Sequence, residues 1–219
     1  MKPVIAPLFA DPVASDQALV NYYAFHSRIY DATRWSFLFG RDLIIHLARG
    51  AQPNPRRILE VGCGTGRNLV QLARLFPHAH LTGVDLSAAM LGVARRKLAA
   101  YEARVSLMAR TYDAAVDPTR GYDIVVCSYA LTMFNPGCEA AVAAACADLA
   151  PNGYFVLVDF HASRFRWFRR WMGINHVRMD GQLRPLLNSI FVPVIDELQP
   201  AYGGVWDYLL FVGRKKQSS

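Results

Sequence analysis

The chain has 219 residues, of which 53% are apolar and 19% are charged. This composition describes one globular domain and excludes a disordered chain, a collagen-like repeat and a small disulfide scaffold. Its four cysteines show no CxxC spacing, and no histidine lies at metal-ligand spacing from them, so we expect reduced thiols, a cytoplasmic protein and no metal site. The net charge of +7 indicates an anionic partner only where basic residues cluster.

The N-terminal segment carries apolar residues at helical spacing from residue 16 to about residue 49. The spacing predicts two helices, which the prolines Pro53 and Pro55 bring to an end. Asp11 and nearby prolines interrupt what would have to be the apolar region of a signal peptide, so we expect no export. No apolar run in the sequence is long enough for a membrane-spanning helix.

The middle of the chain alternates between strand and helix patterns. The segments RRILEV, HLTGVDLS, RVSLMAR, YDIVVCSYA and YFVLVDF predict five strands, with an amphipathic helix after the first and a helix over residues 139–149. Ser87 is placed to cap the helix that follows the second strand. This alternation predicts a mainly parallel sheet with helices on both faces.

The pattern changes after residue 160 to a basic aromatic helix, an irregular stretch and two strands, SIFVPVID and VWDYLLFVG. A turn at Gly203 and Gly204 joins these strands into a hairpin, which would complete the sheet with antiparallel strands. We therefore predict a single domain. Its parts are a helical lid over residues 1–52, a cofactor-binding core over residues 53–160, and a substrate and membrane segment with the terminal hairpin over residues 161–219.

The strongest signal for chemistry is EVGCGTG, residues 60–66, at the end of the first strand. Its glycines let the backbone approach a ligand closely, and the following helix offers free amides. Arg67 stands where a dinucleotide fingerprint has its last glycine, which argues against NAD or FAD. Asp85 follows Gly66 by 19 residues at the end of the second strand, where a carboxylate can accept both hydrogen bonds of a ribose diol.

EVGCGTG, GVDLS, YDIVVCSYAL and LAPNGYFVLVD, in this order, resemble the class I S-adenosylmethionine-dependent methyltransferases. The resemblance covers about residues 56–160 and implies an α/β enzyme with a Rossmann-like, seven-stranded sheet and S-adenosyl-L-methionine as cofactor. One departure is Arg110, which stands where the family usually has an acid for the adenine; Asp113 follows it. The resemblance and the pattern together assign the cofactor to Tyr30, Arg34, Glu60, Gly62, Gly64, Gly66, Asn68, Asp85, Leu86, Met90 and Ser128.

The flanking segments YYAFHSRIYDATRWSFLFGRDLI, SYALTMF, VDFHASRFRWFRRWM and YGGVWDYLLFVGRK are similar to those of bacterial lipid-headgroup N-methyltransferases. That group includes enzymes that make a trimethylated betaine lipid from diacylglyceryl homoserine, and phosphatidylethanolamine N-methyltransferases. This resemblance implies methyl transfer to the amine of a lipid headgroup, with a lipid or lipophilic amine as substrate.

An amine must be neutral to attack a methyl group, and the cation that it becomes is stabilised by aromatic ring faces. On this chemistry we predict catalytic roles for Tyr22, Tyr23 and His161. Ordinary structural roles are the alternative: a cap for His161, a turn for Asp159 and a packed core position for His26. The residues predicted to bind substrate are His26, Tyr129, Asp159, Tyr202 and Trp206.

Four arginines between residues 164 and 170 alternate with large aromatic residues. This mixture suits an anionic membrane surface and predicts peripheral binding to the inner face of the membrane; a solvated charged helix is the alternative. It would also suit single-stranded nucleic acid, but SYAL lacks the Asn/Asp-Pro-Pro-aromatic sequence of amino-methylating nucleic-acid enzymes, so we expect no nucleic-acid partner. A methyltransferase for quinones, phenols or carboxylates, and a non-enzyme that binds the cofactor, remain alternative functions.

Overall fold

The computed structural model describes residues 38–216. The predictions for Tyr22, Tyr23, His26, Tyr30 and Arg34, and most of the predicted lid, lie outside these residues. The helices of the described part are α1 (Arg41–Ala51), α2 (Arg67–Leu75), α3 (Ala88–Lys97), α4 (Cys138–Asp148), α5 (Arg166–Ile174) and α6 (Leu183–Ile190). The strands are β1 (Arg57–Val61), β2 (His80–Asp85), β3 (Val105–Ala109), β4 (Tyr122–Ser128), β5 (Leu149–Ala162), β6 (Phe191–Ala201) and β7 (Trp206–Lys215).

Seven strands form one sheet in the order β3-β2-β1-β4-β5-β7-β6. Strands β1 to β5 pair in parallel, with Leu59 of β1 beside Thr82 of β2 and Val125 of β4. β7 lies between β5 and β6 and is antiparallel to both. The predicted fold class is confirmed: a mostly parallel α/β sheet completed by a C-terminal antiparallel hairpin.

Both faces of the central strands of the sheet are buried. In β1, Ile58 packs against the core on the side of α1, α2, α3 and α5, while Leu59 packs on the side of α4 and α6. Successive side chains of a strand point to opposite faces, so a strand covered on both sides is an uninterrupted apolar run. This is why RILEV carries no alternation of polar and apolar residues.

Two local predictions need correction. The stretch predicted to be irregular contains α6, whose Leu183 and Leu187 are buried one turn apart. Pro185 lies in its first turn, where proline is tolerated, and this proline together with the helix's eight residues concealed it. Strand β5 continues to Ala162, beyond the predicted segment YFVLVDF, so His161 lies within the strand.

No helix between residues 38 and 216 is both long enough and apolar enough to span a bilayer.

Candidate functional site

A cavity of about 530 Å³ opens at the carboxyl ends of the parallel strands. Strand order reverses between β1 and β4, and ligands of open α/β sheets bind at such a reversal. The lining comes from the ends of the first four strands and the loops that follow them: residues 62–65, 84–86, 110–113, 128–130 and 133–137. Leu38, Arg41, Arg67, Met90 and Lys97 complete it.

The glycine loop after β1 brings backbone amides to the cavity floor. The amides of Gly62 and Cys63 donate to the Val84 carbonyl at 2.8 and 3.1 Å, which joins the loop to β2. Gly62 has a φ of 68°, and a Cβ there would lie 2.5 Å from the Cβ of Ala130. Only glycine fits at this position, because both the conformation and the contact exclude a side chain.

Gly66 has a different role from the glycines that line the cavity. It caps the N-terminus of α2 with a φ of 75°, and a Cβ there would lie 3.0 Å from the Cβ of Ala94 in α3. Gly66 therefore allows α2 and α3 to pack closely. It does not line the cavity.

Asp85 is held in one orientation by two backbone amides. Gly64 donates to its Oδ2 at 2.7 Å and Ser87 donates to its Oδ1 at 2.9 Å. The Ser87 hydroxyl accepts from the Met90 amide at 3.3 Å, which confirms the predicted helix cap. A carboxylate fixed in this way at the end of β2 is suited to accept the two hydroxyls of a ribose.

The expected adenine end of the cavity contains Leu86, Met90 and the loop 110–113. The Arg110 amide donates to the Asp85 carbonyl at 3.2 Å. Its guanidinium donates to the carbonyls of Thr111 and Ala114 and lies 3.6 Å from the Asp113 carboxylate. Arg110 therefore stabilises its own loop. The carboxylate at this end of the cavity is that of Asp113.

Glu60 and Asn68 lie beneath the glycine loop and outside the lining. The Asn68 amide donates to Glu60 Oε1 at 2.8 Å, and both side chains are buried. Burial raises the pKa of Glu60 to about 8, so this carboxyl is mostly protonated at neutral pH. Burial also raises the pKa of the Cys63 thiol well above its usual range, so Cys63 is not a nucleophile.

The other end of the cavity is formed by the chain that follows β4. Ser128 and Tyr129 line it, and Tyr129 adopts a φ of 54°. The Tyr129 hydroxyl donates to the Phe39 carbonyl at 2.7 Å, and its ring meets Phe160 edge-on at 4.7 Å. Burial raises the pKa of Tyr129 well above its usual range, so the phenol is a neutral donor. Tyr129 thereby fastens the residues before α1 to the sheet.

Asp159 was predicted to contact substrate, but the structure places it behind the cavity wall. It is fully buried and accepts from the Thr132 hydroxyl at 2.5 Å, the Thr132 amide at 3.2 Å and the Phe160 amide at 2.8 Å. Burial raises its pKa to about 6. Its carboxyl anchors the 3-10 turn Leu131–Met133, and that turn leads into the wall formed by residues 133–137.

His161 also lies outside the main cavity. It borders a separate, much smaller pocket with Asp180 and Gly181, and burial lowers its pKa. β5 places this side chain beside α6, a helix that was not predicted from the sequence.

Tyr202 and Trp206 lie outside the lining as well, in an aromatic cluster at the hairpin turn. Tyr202 is about half exposed and contacts Phe39 at 5.1 Å between ring centroids. Trp206 is buried between Tyr202 and Phe168 of α5, at 5.0 Å from each. This cluster adjoins the cavity through Phe39, whose carbonyl binds Tyr129.

Most of the cationic side chains that line the cavity were not predicted from the sequence. Arg41, Arg67, Lys97 and Arg110 line the cavity, against the carboxylates of Asp85 and Asp113. Arg67 pairs with Asp42 at 3.2 Å and Lys97 donates to Thr65 at 3.1 Å. Thr65 could have been found because it lies inside the glycine motif, whereas Lys97 reaches the cavity only through the packing of α3. No histidine lines the cavity in the part of the chain from 38 to 216.

Comparisons with known proteins agree with this geometry. Residues 58–153 match the family model described as a methyltransferase domain. A malonyl-[acyl-carrier protein] O-methyltransferase from Priestia megaterium is 32% identical over 120 residues, which are 54% of this chain and 43% of the relative. The match thus spans less than half the length of this curated relative.

Two solved structures have the same fold. The 1,6-didemethyltoxoflavin-N1-methyltransferase of Burkholderia thailandensis, with bound S-adenosylhomocysteine, aligns with a TM-score of 0.70 at 21% identity over 98% of this chain and 94% of its own. The N-methyltransferase NodS of Bradyrhizobium japonicum, also with S-adenosylhomocysteine, aligns with a TM-score of 0.66 at 21% identity over 81% of this chain and 86% of its own. The amide-held carboxylate, the glycine loop and the apolar cover of Leu86 and Met90 fit such a nucleoside.

Proposed function

From the match of residues 58–153 to a methyltransferase domain, we propose that the protein methylates the amine of a lipid headgroup with S-adenosylmethionine as the methyl donor. The acceptors are of the betaine-lipid precursor or phosphatidylethanolamine type. The observation that carries the proposal is the apolar end of the cavity, called the acceptor end, whose wall includes Leu38, Tyr129, Met133, Phe134 and Pro136. An amphiphile can enter head first along such a wall while its acyl chains remain outside.

S-adenosylmethionine, when bound, supplies an electrophilic methyl group on a sulfonium sulfur. The chain's own contribution is orientation: Asp85 and the glycine loop fix the nucleoside, and the wall after β4 holds the acceptor in line. The apolar surroundings lower the pKa of an entering amine and so favour its reactive neutral form. Aromatic rings then stabilise the methylated cation by about 0.5–2 kcal/mol for each close contact.

The acceptor end is proposed to be completed by Tyr22, Tyr23 and His26, with Tyr30 and Arg34 toward the methionine end of the cofactor. Support comes from Leu38, the first described residue, which already lines the cavity, and from the Tyr129 bond to Phe39. We assign Asp159 a positioning role, because it holds the turn that leads into the wall. Tyr202 and Trp206 support the wall through Phe39.

The test is to incubate the purified protein with methyl-labelled S-adenosylmethionine and vesicles of diacylglyceryl homoserine, phosphatidylethanolamine or ornithine lipid. Label in one extracted lipid, located on nitrogen by mass spectrometry, is the expected result. Asp85→Ala is the matched inactive control, because it leaves the acceptor wall intact. A protein that binds the cofactor but labels none of these lipids would overturn the lipid proposal.

Carboxylate O-methylation is the second candidate. It is favoured by the four cationic side chains of the lining and by the malonyl relative. A carboxylate needs no base, because it is already ionised at neutral pH. The same assay separates the two chemistries: alkali releases the label from a methyl ester as methanol, whereas an N-methyl group survives this treatment.

A further inference from the structure

Helix α5 presents two different surfaces along its length. Phe168 and Met172, one turn apart, are buried against the core. Trp167, Trp171 and Ile174 follow the same helical spacing on another side, and their exposed fractions are 65%, 46% and 72%. Large apolar side chains in a contiguous exposed stripe are typical of a contact surface.

The same helix carries a concentrated positive charge. Arg166 and Arg170 are exposed and lie beside the apolar stripe, Arg164 lies just before the helix, and Arg169 lies in its first turn. No acidic residue occurs between residues 163 and 174. Tryptophan and isoleucine beside arginine are the side chains that an anionic bilayer surface attracts, since rings and aliphatic groups enter the interface while guanidinium groups meet the lipid phosphates.

An aromatic series connects this helix to the cavity. Phe168 stacks on Trp206 at 5.0 Å with ring planes 12° apart, and Trp206 lies 5.0 Å from Tyr202. Tyr202 meets Phe39 at 5.1 Å, and the Phe39 carbonyl binds Tyr129 of the cavity wall. Tyr202 and Phe39 are themselves 52% and 37% exposed. This series of contacts links α5, which carries the exposed stripe, to the acceptor end of the cavity.

We propose that Trp167, Trp171 and Ile174, with the four arginines from Arg164 to Arg170, form a docking face for an anionic lipid bilayer. The docking face rests on the proposed function and extends it, because binding through this face would place the acceptor end of the cavity at the level of the lipid headgroups. The observations favour a bilayer over single-stranded nucleic acid, because Ile174 is the most exposed apolar residue of the stripe and an aliphatic side chain offers no ring on which bases stack.

The experiment is co-sedimentation of the full chain with phosphatidylcholine vesicles that contain or lack phosphatidylglycerol. We expect the protein to pellet with the anionic vesicles and to be released by salt. Arg166→Glu with Arg170→Glu, and separately Trp167→Ser with Trp171→Ser, should each lower the partition coefficient by about tenfold or more. Arg169 is left unchanged because it also donates to the Ser163 carbonyl, so a substitution there would change a local contact as well as the charge.

The matched control is Arg95→Glu with Arg96→Glu, which makes the same change of charge at exposed positions of α3. This control should pellet like the unmodified chain, and all variants should keep their affinity for S-adenosylhomocysteine by calorimetry. Lipids brominated in the acyl chains should quench tryptophan fluorescence in the unmodified chain, and Trp167→Phe with Trp171→Phe should abolish that quenching.

Equal pelleting by the α5 variants and the control, or no preference for anionic vesicles, would overturn the docking face. Binding of a single-stranded oligonucleotide in place of vesicles would overturn it too and assign α5 to nucleic acid. An assay of lipid methylation in detergent micelles distinguishes the docking face from the proposed function. Loss of vesicle binding with micellar activity retained removes only the docking face, whereas vesicle binding without any lipid methylation removes the proposed function.

Discussion

The two ends of the cavity are built by different means. At the cofactor end, the Asp85 carboxylate is held by backbone groups, since the amides of Gly64 and Ser87 donate to its two oxygens. At the acceptor end, side-chain hydroxyls make the holding bonds, such as that of Tyr129 to the Phe39 carbonyl and that of Thr132 to the Asp159 carboxyl. The cofactor end therefore depends on conformation, which few residues can supply, whereas the acceptor end depends on side chains, which can change the substrate without changing the fold.

Gly62→Ala should have the largest effect, because it breaks the cofactor end at its tightest point. The new Cβ would lie 2.5 Å from Ala130 with a φ of 68°, so we expect a loss of about 3 kcal/mol of unfolding free energy from conformational strain and overpacking together. Urea unfolding measures this loss, and calorimetry should show weakened cofactor binding.

Gly92→Ala is the matched control for that substitution. Gly92 lies within α3 with no atom in the way of a Cβ, so alanine should stabilise the helix by about 0.5–1 kcal/mol. If Gly62→Ala proved as harmless as Gly92→Ala, the glycine loop would not depend on conformation as argued above.

The difference between the two ends also explains what the sequence could predict. EVGCGTG, Asp85 and the Ser87 cap are local patterns, and the sheet with its C-terminal hairpin followed from alternating strands and helices. Lys97 and Arg41 reach the cavity through packing of helices, and Asp159 turns inward to Thr132, so no local pattern indicated their positions. Helix α6 was missed because its eight residues include a proline.

Asp85→Asn should show how much of cofactor binding rests on the amide-held carboxylate. The side-chain nitrogen of asparagine would face one of the two backbone amides that donate to Asp85. The substitution therefore removes the negative charge and one of the two hydrogen bonds that orient the side chain. We expect affinity for S-adenosylhomocysteine to fall by about 2–3 kcal/mol, or roughly 30- to 150-fold, with a smaller effect on stability.

Asp113→Asn is the companion change for Asp85→Asn. Asp113 lies at the expected adenine end and is largely exposed, so its loss should weaken binding much less. If calorimetry showed a larger loss of affinity for Asp113→Asn than for Asp85→Asn, the nucleoside would lie in the opposite orientation in the cavity.

Glu60 links the cofactor end to pH. Its folded pKa of about 8 lies above the usual value of 4.5, so between these values the folded chain keeps a proton that the unfolded chain releases. The contribution of Glu60 to the free energy of unfolding is therefore fully present below pH 4.5. It falls as the pH rises toward 8, with a limiting slope of about 1.4 kcal/mol per pH unit.

Glu60→Gln should remove this slope, since glutamine can accept from Asn68 but carries no titrating proton. Urea unfolding between pH 7 and 8 isolates the effect, because Asp159, with a pKa of about 6, is mostly ionised above pH 7. A variant with the same slope as the unmodified chain would show that Glu60 is ionised in the folded state at neutral pH.

Tyr129→Phe should have the smallest effect on stability and the most selective effect on function. It removes the 2.7 Å bond to the Phe39 carbonyl, which costs about 0.5–1.5 kcal/mol. Because Tyr129 ties the segment before α1 to the acceptor wall, the KM for the acceptor should rise while the cofactor affinity stays constant. Tyr122→Phe is the control: its buried hydroxyl bonds Thr82 at 3.3 Å away from the cavity, so it should lower stability comparably and leave KM unchanged. An equal rise in KM for both variants would mean that general loosening of the sheet, and not the acceptor end, sets substrate affinity.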